Sequence, residues 1–227
     1  MTIFMTILII ICAASATFAC ARVFIRARKV YDRDALFTGA FGLSLLAMLN
    51  IYYVLYYYIK GAKTGLDISD FSAVCSYIFF IAALNLLLLL SNKLYTIVKI
   101  TIGVVSVAIS LITIYSVITD HGGIFYATMI SVVLFCIILS VLILLQSRKI
   151  QQLKAARAFA CSTIFLGVLD TIYYLGLFIH FELIFFMILS VLYILAYIWI
   201  SEGLIRLRPD DQPTDRGGEC RVSELDV

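Results

Sequence analysis

The sequence predicts an all-α polytopic membrane protein, a bundle of seven transmembrane helices, and three observations carry that reading. Hydrophobic residues make up 63% of the chain and charged residues only 14%, where a soluble domain holds about 45–50% apolar and about 25% charged residues. The mean hydropathy is +1.08. The apolar residues also gather in runs of about 20, the length needed to cross a hydrocarbon core about 30 Å thick. A β-barrel is excluded, because its strands are about 10 residues long and alternate in polarity.

Seven runs have the required length, at 2–25, 35–59, 71–92, 100–119, 124–146, 158–180 and 183–205, and they define one transmembrane domain over 1–208. The first begins Met1-Thr2-Ile3-Phe4, without a basic residue, and its arginines follow the apolar run. That charge order is the reverse of a cleaved signal peptide, so the run reads as a retained span. Cys12, Ala16 and Cys20 recur in it at every fourth position, a small-residue face suited to close helix packing. The second span ends in Tyr52, Tyr53, Tyr56, Tyr57 and Tyr58, whose amphipathic rings suit the headgroup level. Asn85 in the third reads as interhelical glue. The last span has no lysine, which a retinal-binding protein would need there. Residues 209–227 hold both prolines and six acidic residues and read as a disordered acidic cytoplasmic tail.

Orientation follows from the basic residues. With the N-terminus outside, fifteen of the 17 Lys and Arg fall on inner segments, and only Lys60 and Lys63 lie outside. Inner loops are where Lys and Arg accumulate, so the chain reads as N-out and C-in in the plasma membrane. The net charge of +3 is spread over these loops and is no nucleic-acid footprint. The bilayer is the expected partner, with a small-molecule ligand, a membrane protein or a second copy of the chain beside it. The six cysteines form no CxxC pair, and no cofactor or metal is expected.

A faint internal echo suggests a 3+1+3 parallel repeat. Arg28-Lys29-Val30 is followed by Leu49-Asn50-Ile51-Tyr52-Tyr53, and Arg148-Lys149-Ile150 by Leu169-Asp170-Thr171-Ile172-Tyr173-Tyr174. The first three spans would then correspond to the last three, with 100–119 as the linker; parallel repeats of this kind occur in transporters.

Asp170 is the one ionisable residue deep in a span, 13 residues from Arg157 and 10 from His180. An intramembrane carboxylate is costly and marks a functional site by default. Thr163, Gly167, Asp170 and Tyr174 share one helical stripe. Asn50, with Tyr53 on its face, is the counterpart of Asp170 in the echo. The expected ligand site is therefore Asp170, Asn50, Tyr53, Thr163 and Tyr174. A second cluster, Asp120, His121, His180 and Glu182, is expected as a titratable outer rim, with spacing that matches no metal rule.

No GxSxG, HExxH or phosphate-binding loop is present, and an enzyme is not expected. Seven unbroken spans with short loops resemble the seven-span input regions of bacterial membrane sensors. The expected function is accordingly an integral membrane sensor, receptor-like or accessory protein that binds a small ligand or a membrane partner around Asp170. The alternative is a small-solute transporter with a midplane site at Asp170 and Asn50.

The orientation is testable by thiol labelling in a background lacking native cysteines. A membrane-impermeant reagent should modify Lys63→Cys in intact cells and Gln151→Cys only after permeabilisation. Modification of Gln151→Cys in intact cells would reverse the assignment.

Overall fold

The computed structural model describes residues 2–28, 34–60, 68–89, 104, 122–148, 153–179 and 183–207. Among them are six long helices: α1 Thr2–Arg28, α2 Asp34–Lys60, α3 Ile68–Leu89, α4 Gly122–Gln146, α5 Arg157–Ile179 and α6 Leu183–Ile205. Among the described residues, α1, α2, α3, α4 and α6 each contain a stretch long and apolar enough to cross a membrane. The protein is thus an all-helical, multi-pass membrane protein. The expected span at 100–119 lies, apart from Val104, outside the described residues, as does the expected tail.

The helix bounds follow the apolar runs to within a turn. The first helix runs on to Arg28 because its arginines are good helix formers, and cations near a helix C-terminus meet the negative end of its dipole. No proline interrupts any helix.

The six helices close into a ring in chain order. Each packs against the next, α6 returns to α1, and α2 also reaches α6 across the ring. Directions follow from the contacts. Cys12 Sγ donates to the Ser190 carbonyl at 3.2 Å, and Arg22 bonds Glu202 at 2.5 Å, so α1 and α6 run parallel. Arg157 reaches Ser147, and Thr163 meets Ser140, so α4 and α5 run antiparallel. Asn50 meets Tyr197, while Gly39 lies against Leu204, which makes α2 antiparallel to α6. The C-terminal ends of α1, α4 and α6 therefore share one end of the bundle with the N-terminal ends of α2 and α5. Arg22, Arg26, Arg148, Lys154, Arg157 and Arg206 all belong to that basic end.

The surface is the inverse of a soluble protein's. Large apolar residues face outward along the helices, among them Phe18, Ile25, Met48, Leu55, Leu134, Ile138, Ile188 and Leu195. In water such a continuous apolar surface would aggregate; in hydrocarbon it matches its solvent. Hydroxyls are silenced locally: Ser15, Thr17, Ser76, Ser140, Ser162, Thr171, Ser190 and Ser201 each donate to a carbonyl three or four residues back.

Small residues set the closest approaches. A Cβ on Gly203 would stand 2.6 Å from the Cα of Phe159 and 2.7 Å from its backbone nitrogen, so here α6 lies directly on the α5 backbone. A Cβ on Gly39 would meet only the tip of the Leu204 side chain, at 2.5 Å. Backbone cannot yield where a leucine tip can. Gly203→Ala should therefore destabilise the bundle by about 1–3 kcal/mol, and Gly39→Ala by clearly less, as read from thermal unfolding midpoints in detergent. Equal midpoints for the two variants would contradict this reading of the seam.

Candidate functional site

Asp170 sits in the middle of α5, about 20 Å along the axis from Arg157 at 1.5 Å per residue. Too short to snorkel from there, its carboxylate turns into the bundle. Tyr77 from α3 donates to Oδ2, and Tyr193 from α6 donates to Oδ1. Two hydroxyls from two other helices thus occupy both carboxylate oxygens. This is the solution hydrocarbon demands of a carboxylate that water does not reach freely.

On the α6 side the layer continues through a ring stack and a further hydrogen bond. Tyr193 stacks on Tyr197, with ring centroids 6.1 Å apart and planes inclined by 25°. The Tyr197 hydroxyl accepts from Asn50 Nδ2 at 3.0 Å, and the same amide donates to the Leu46 carbonyl at 2.7 Å. The chain Tyr77–Asp170–Tyr193–Tyr197–Asn50 therefore ties α3, α5, α6 and α2 together at one depth. Tyr77 is fully buried, and edge-to-face contact with Phe80 at 6.1 Å fixes its ring; Phe80 in turn meets Phe159 at 6.2 Å.

Both sides of this layer hold buried residues, with Ala73, Val74, Phe125, Met129 and Leu189 among them toward the end opposite the basic one. Toward the basic end, Leu43, Phe80, Leu84, Phe159, Thr163, Leu166 and Ile200 all have 0% exposure. Toward the opposite end, Tyr53, Ile172, Tyr173, Phe185 and Phe186 are half-buried, as are Asp170 and Tyr193 themselves. Tyr173 and Phe186 meet there edge to face, 5.9 Å between centroids. Asp170 thus stands on a closed floor, with aromatic side chains on its other side.

The expected site residues divide accordingly. Asp170 and Asn50 belong to one network, though Asn50 meets Tyr197 rather than the carboxylate. Tyr53 is half-buried on α2. Thr163 belongs elsewhere: it pairs with Ser140 of α4 at 2.7 Å, and Gly167 on the same stripe packs against Val133 and Ile137 of α4. The stripe faces two neighbours, α4 with its basic-end half and α3 with α6 at Asp170. The Tyr174 side chain and the outer-rim residues Asp120, His121, His180 and Glu182 lie outside the described residues. Asn85 is half-buried on α3. Sequence reasoning missed Tyr77, Tyr193 and Tyr197, because a tyrosine in an apolar run reads as core or interface. One signal could have found two of them: Tyr77 and Tyr197 are 120 residues apart, the separation of Asn50 and Asp170.

Removing either donor leaves one carboxylate oxygen unsatisfied in a low-dielectric interior. Tyr77→Phe and Tyr193→Phe should each cost about 1–3 kcal/mol, and their effects should be non-additive, because both act on one acceptor. Denaturation midpoints of the two variants and the double variant measure this; strictly additive or negligible effects would show that the carboxylate does not depend on these hydroxyls. Compared with known family models, curated proteins and solved structures, the chain matches none, so its function is read from this network.

Proposed function

We propose that this protein is a seven-span sensor or receptor-like module of the plasma membrane, oriented N-out and C-in, that binds a small ligand at Asp170. One observation supports the reading: the Asp170 side chain is only half-buried although it stands mid-helix, while the layer between it and the basic end is closed. A site closed toward the basic end suits reception. Three helices meet at it through hydrogen bonds and the Tyr193–Tyr197 stack links them to α2, so a ligand that replaces one of these bonds changes the relative packing of α2, α3, α5 and α6. A ligand shifts a conformational balance only through such differential contacts.

The seventh span has support of its own. Since α3 meets α5 through Tyr77–Asp170 and Phe80–Phe159, it runs antiparallel to α5 and hence parallel to α4. A chain whose α3 and α4 run the same way has to return across the bilayer between them. The apolar run 100–119 has the length for it. The basic end, with Arg22, Arg26 and Arg157, is the cytoplasmic one by the positive-inside rule.

A second reading, a small-solute transporter, is favoured by the internal repeat. A shift of 120 residues pairs buried with buried along whole helices: Ala16 with Cys136 and Val23 with Ile143; Leu43 with Thr163 and Leu46 with Leu166; Phe80 with Ile200 and Leu84 with Leu204. The central contacts obey the same shift. Asn50 meets Tyr197 and Asp170 meets Tyr77, each the exchange of the other, as residues across a two-fold axis must be. Parallel repeats with a midplane site are a transporter architecture.

Water access separates the two readings. In a sensor, Tyr173→Cys should react with an impermeant thiol reagent from outside, and Thr163→Cys from neither side. Reaction of Thr163→Cys from the cytoplasmic side would show the floor opening and shift the conclusion to transport.

A further inference from the structure

Building on the ligand-binding reading of Asp170, we infer that the ligand is a protonated amine, held by the Asp170 carboxylate beside the half-buried rings of Tyr193 and Tyr173. Charge is the first argument. Both carboxylate oxygens are met by hydroxyls, which orient a negative charge without neutralising it. Among the described residues, lysines and arginines lie only toward the helix ends, with Arg157 the nearest on the same helix. A carboxylate at this depth calls for a counter-charge, and a cationic ligand supplies it.

Donor and acceptor chemistry is the second. The network is rich in acceptors: two carboxylate oxygens, and phenol oxygens that accept as well as donate. Its one amide donor, Asn50 Nδ2, is already committed to Leu46 and Tyr197. An anion would meet like charge. A neutral acceptor could take the Tyr197 hydroxyl hydrogen but would leave the carboxylate without a counter-charge. A ligand that brings its own N–H donors and a positive charge satisfies both demands.

The aromatic surroundings are the third. Tyr193 and Tyr197 present a stacked pair beside the carboxylate, and Tyr173 with Phe186 forms an edge-to-face pair on the half-buried side of the layer. Electron-rich ring faces attract ammonium groups, and a set of rings with one carboxylate recognises them against metal ions and neutral solutes. Among the described residues, no three His, Cys, Asp or Glu side chains come together to hold a metal ion.

The test uses the full-length protein in detergent. It is titrated at constant ionic strength with n-butylammonium chloride, tetramethylammonium chloride, sodium chloride and the uncharged n-butanol, reading the thermal unfolding midpoint. The expected result is a saturable rise with an ammonium probe, none with sodium or butanol, and at least a tenfold loss of affinity in Asp170→Asn. Tyr193→Phe should weaken binding less, and together with the charged-against-uncharged contrast in the wild type it decides the matter if Asp170→Asn fails to fold. No saturable rise with either ammonium probe, an equal response to sodium, or a response unchanged in Asp170→Asn overturns the amine assignment. The broader reading stands or falls separately: neutral fragments whose binding is lost in Asp170→Asn would keep Asp170 as a ligand site of another chemistry, and fragments bound equally by both proteins would remove it.

Discussion

The interior of this bundle is organised by the need to satisfy one carboxylate where water is scarce. Asp170 is too short to reach either headgroup layer, so its partners have to come to it. They come from α3 and α6, and through the stacked Tyr193–Tyr197 pair the constraint reaches Asn50 on α2. Helices that would otherwise be free to rotate or slide in hydrocarbon are thereby held in register. Apolar packing alone would specify that register weakly, because lipid tails are as good a neighbour for Leu and Ile as another helix is. The polar layer supplies the specificity that the hydrophobic effect cannot provide inside a bilayer.

Packing elsewhere serves the same end. Close approach needs small residues, and at Gly203, Gly42 and Gly167 the helices α6, α2 and α5 leave no room for a Cβ beside their neighbours. Gly42 admits the Phe80 ring, which braces Tyr77, which in turn donates to Asp170. A glycine two helices away from the carboxylate thus helps to aim its donor. The hydroxyls of Ser76 and Ser162 on α3 and α5 are occupied on their own helices. The ion pair of Arg22 with Glu202 lies outside this layer at the basic end. It fastens α1 to α6 where water and headgroups lessen its cost, and an exposed pair of this kind contributes little to stability.

Much of this was legible in the sequence, for a definite reason. Span limits are set by composition and length, which are local properties, and the helix bounds agree within a turn. That Asp170 must face inward follows from cost alone, before any neighbour is known. The neighbours are another matter. A helical stripe says which residues share a face, but not which helix that face meets, and the stripe of Thr163, Gly167 and Asp170 meets two. Tyr77, Tyr193 and Tyr197 lie among Leu, Ile and Phe, where a tyrosine has the same pattern whether it anchors at an interface or donates to a carboxylate. Only the long-range pairing distinguishes those roles. A one-dimensional reading reaches such pairing through repetition, here the 120-residue shift.

On the proposed duplication, the way the two halves differ is as telling as the way they match. Position 50 carries an amide where position 170 carries an acid, and position 73 carries Ala where position 193 carries Tyr. The two differences belong together. An amide brings its own donor, and Asn50 gives it to Tyr197; an acid has only acceptors, and it needs a second hydroxyl that Tyr193 supplies and Ala73 could not. Two acids at equivalent depths would set like charges into one low-dielectric interior, where their repulsion is poorly screened. Keeping the charge in one half avoids that cost. It also breaks the equivalence of the two halves, with the charge kept on the α5 side and the amide of α2 left to complete the polar layer.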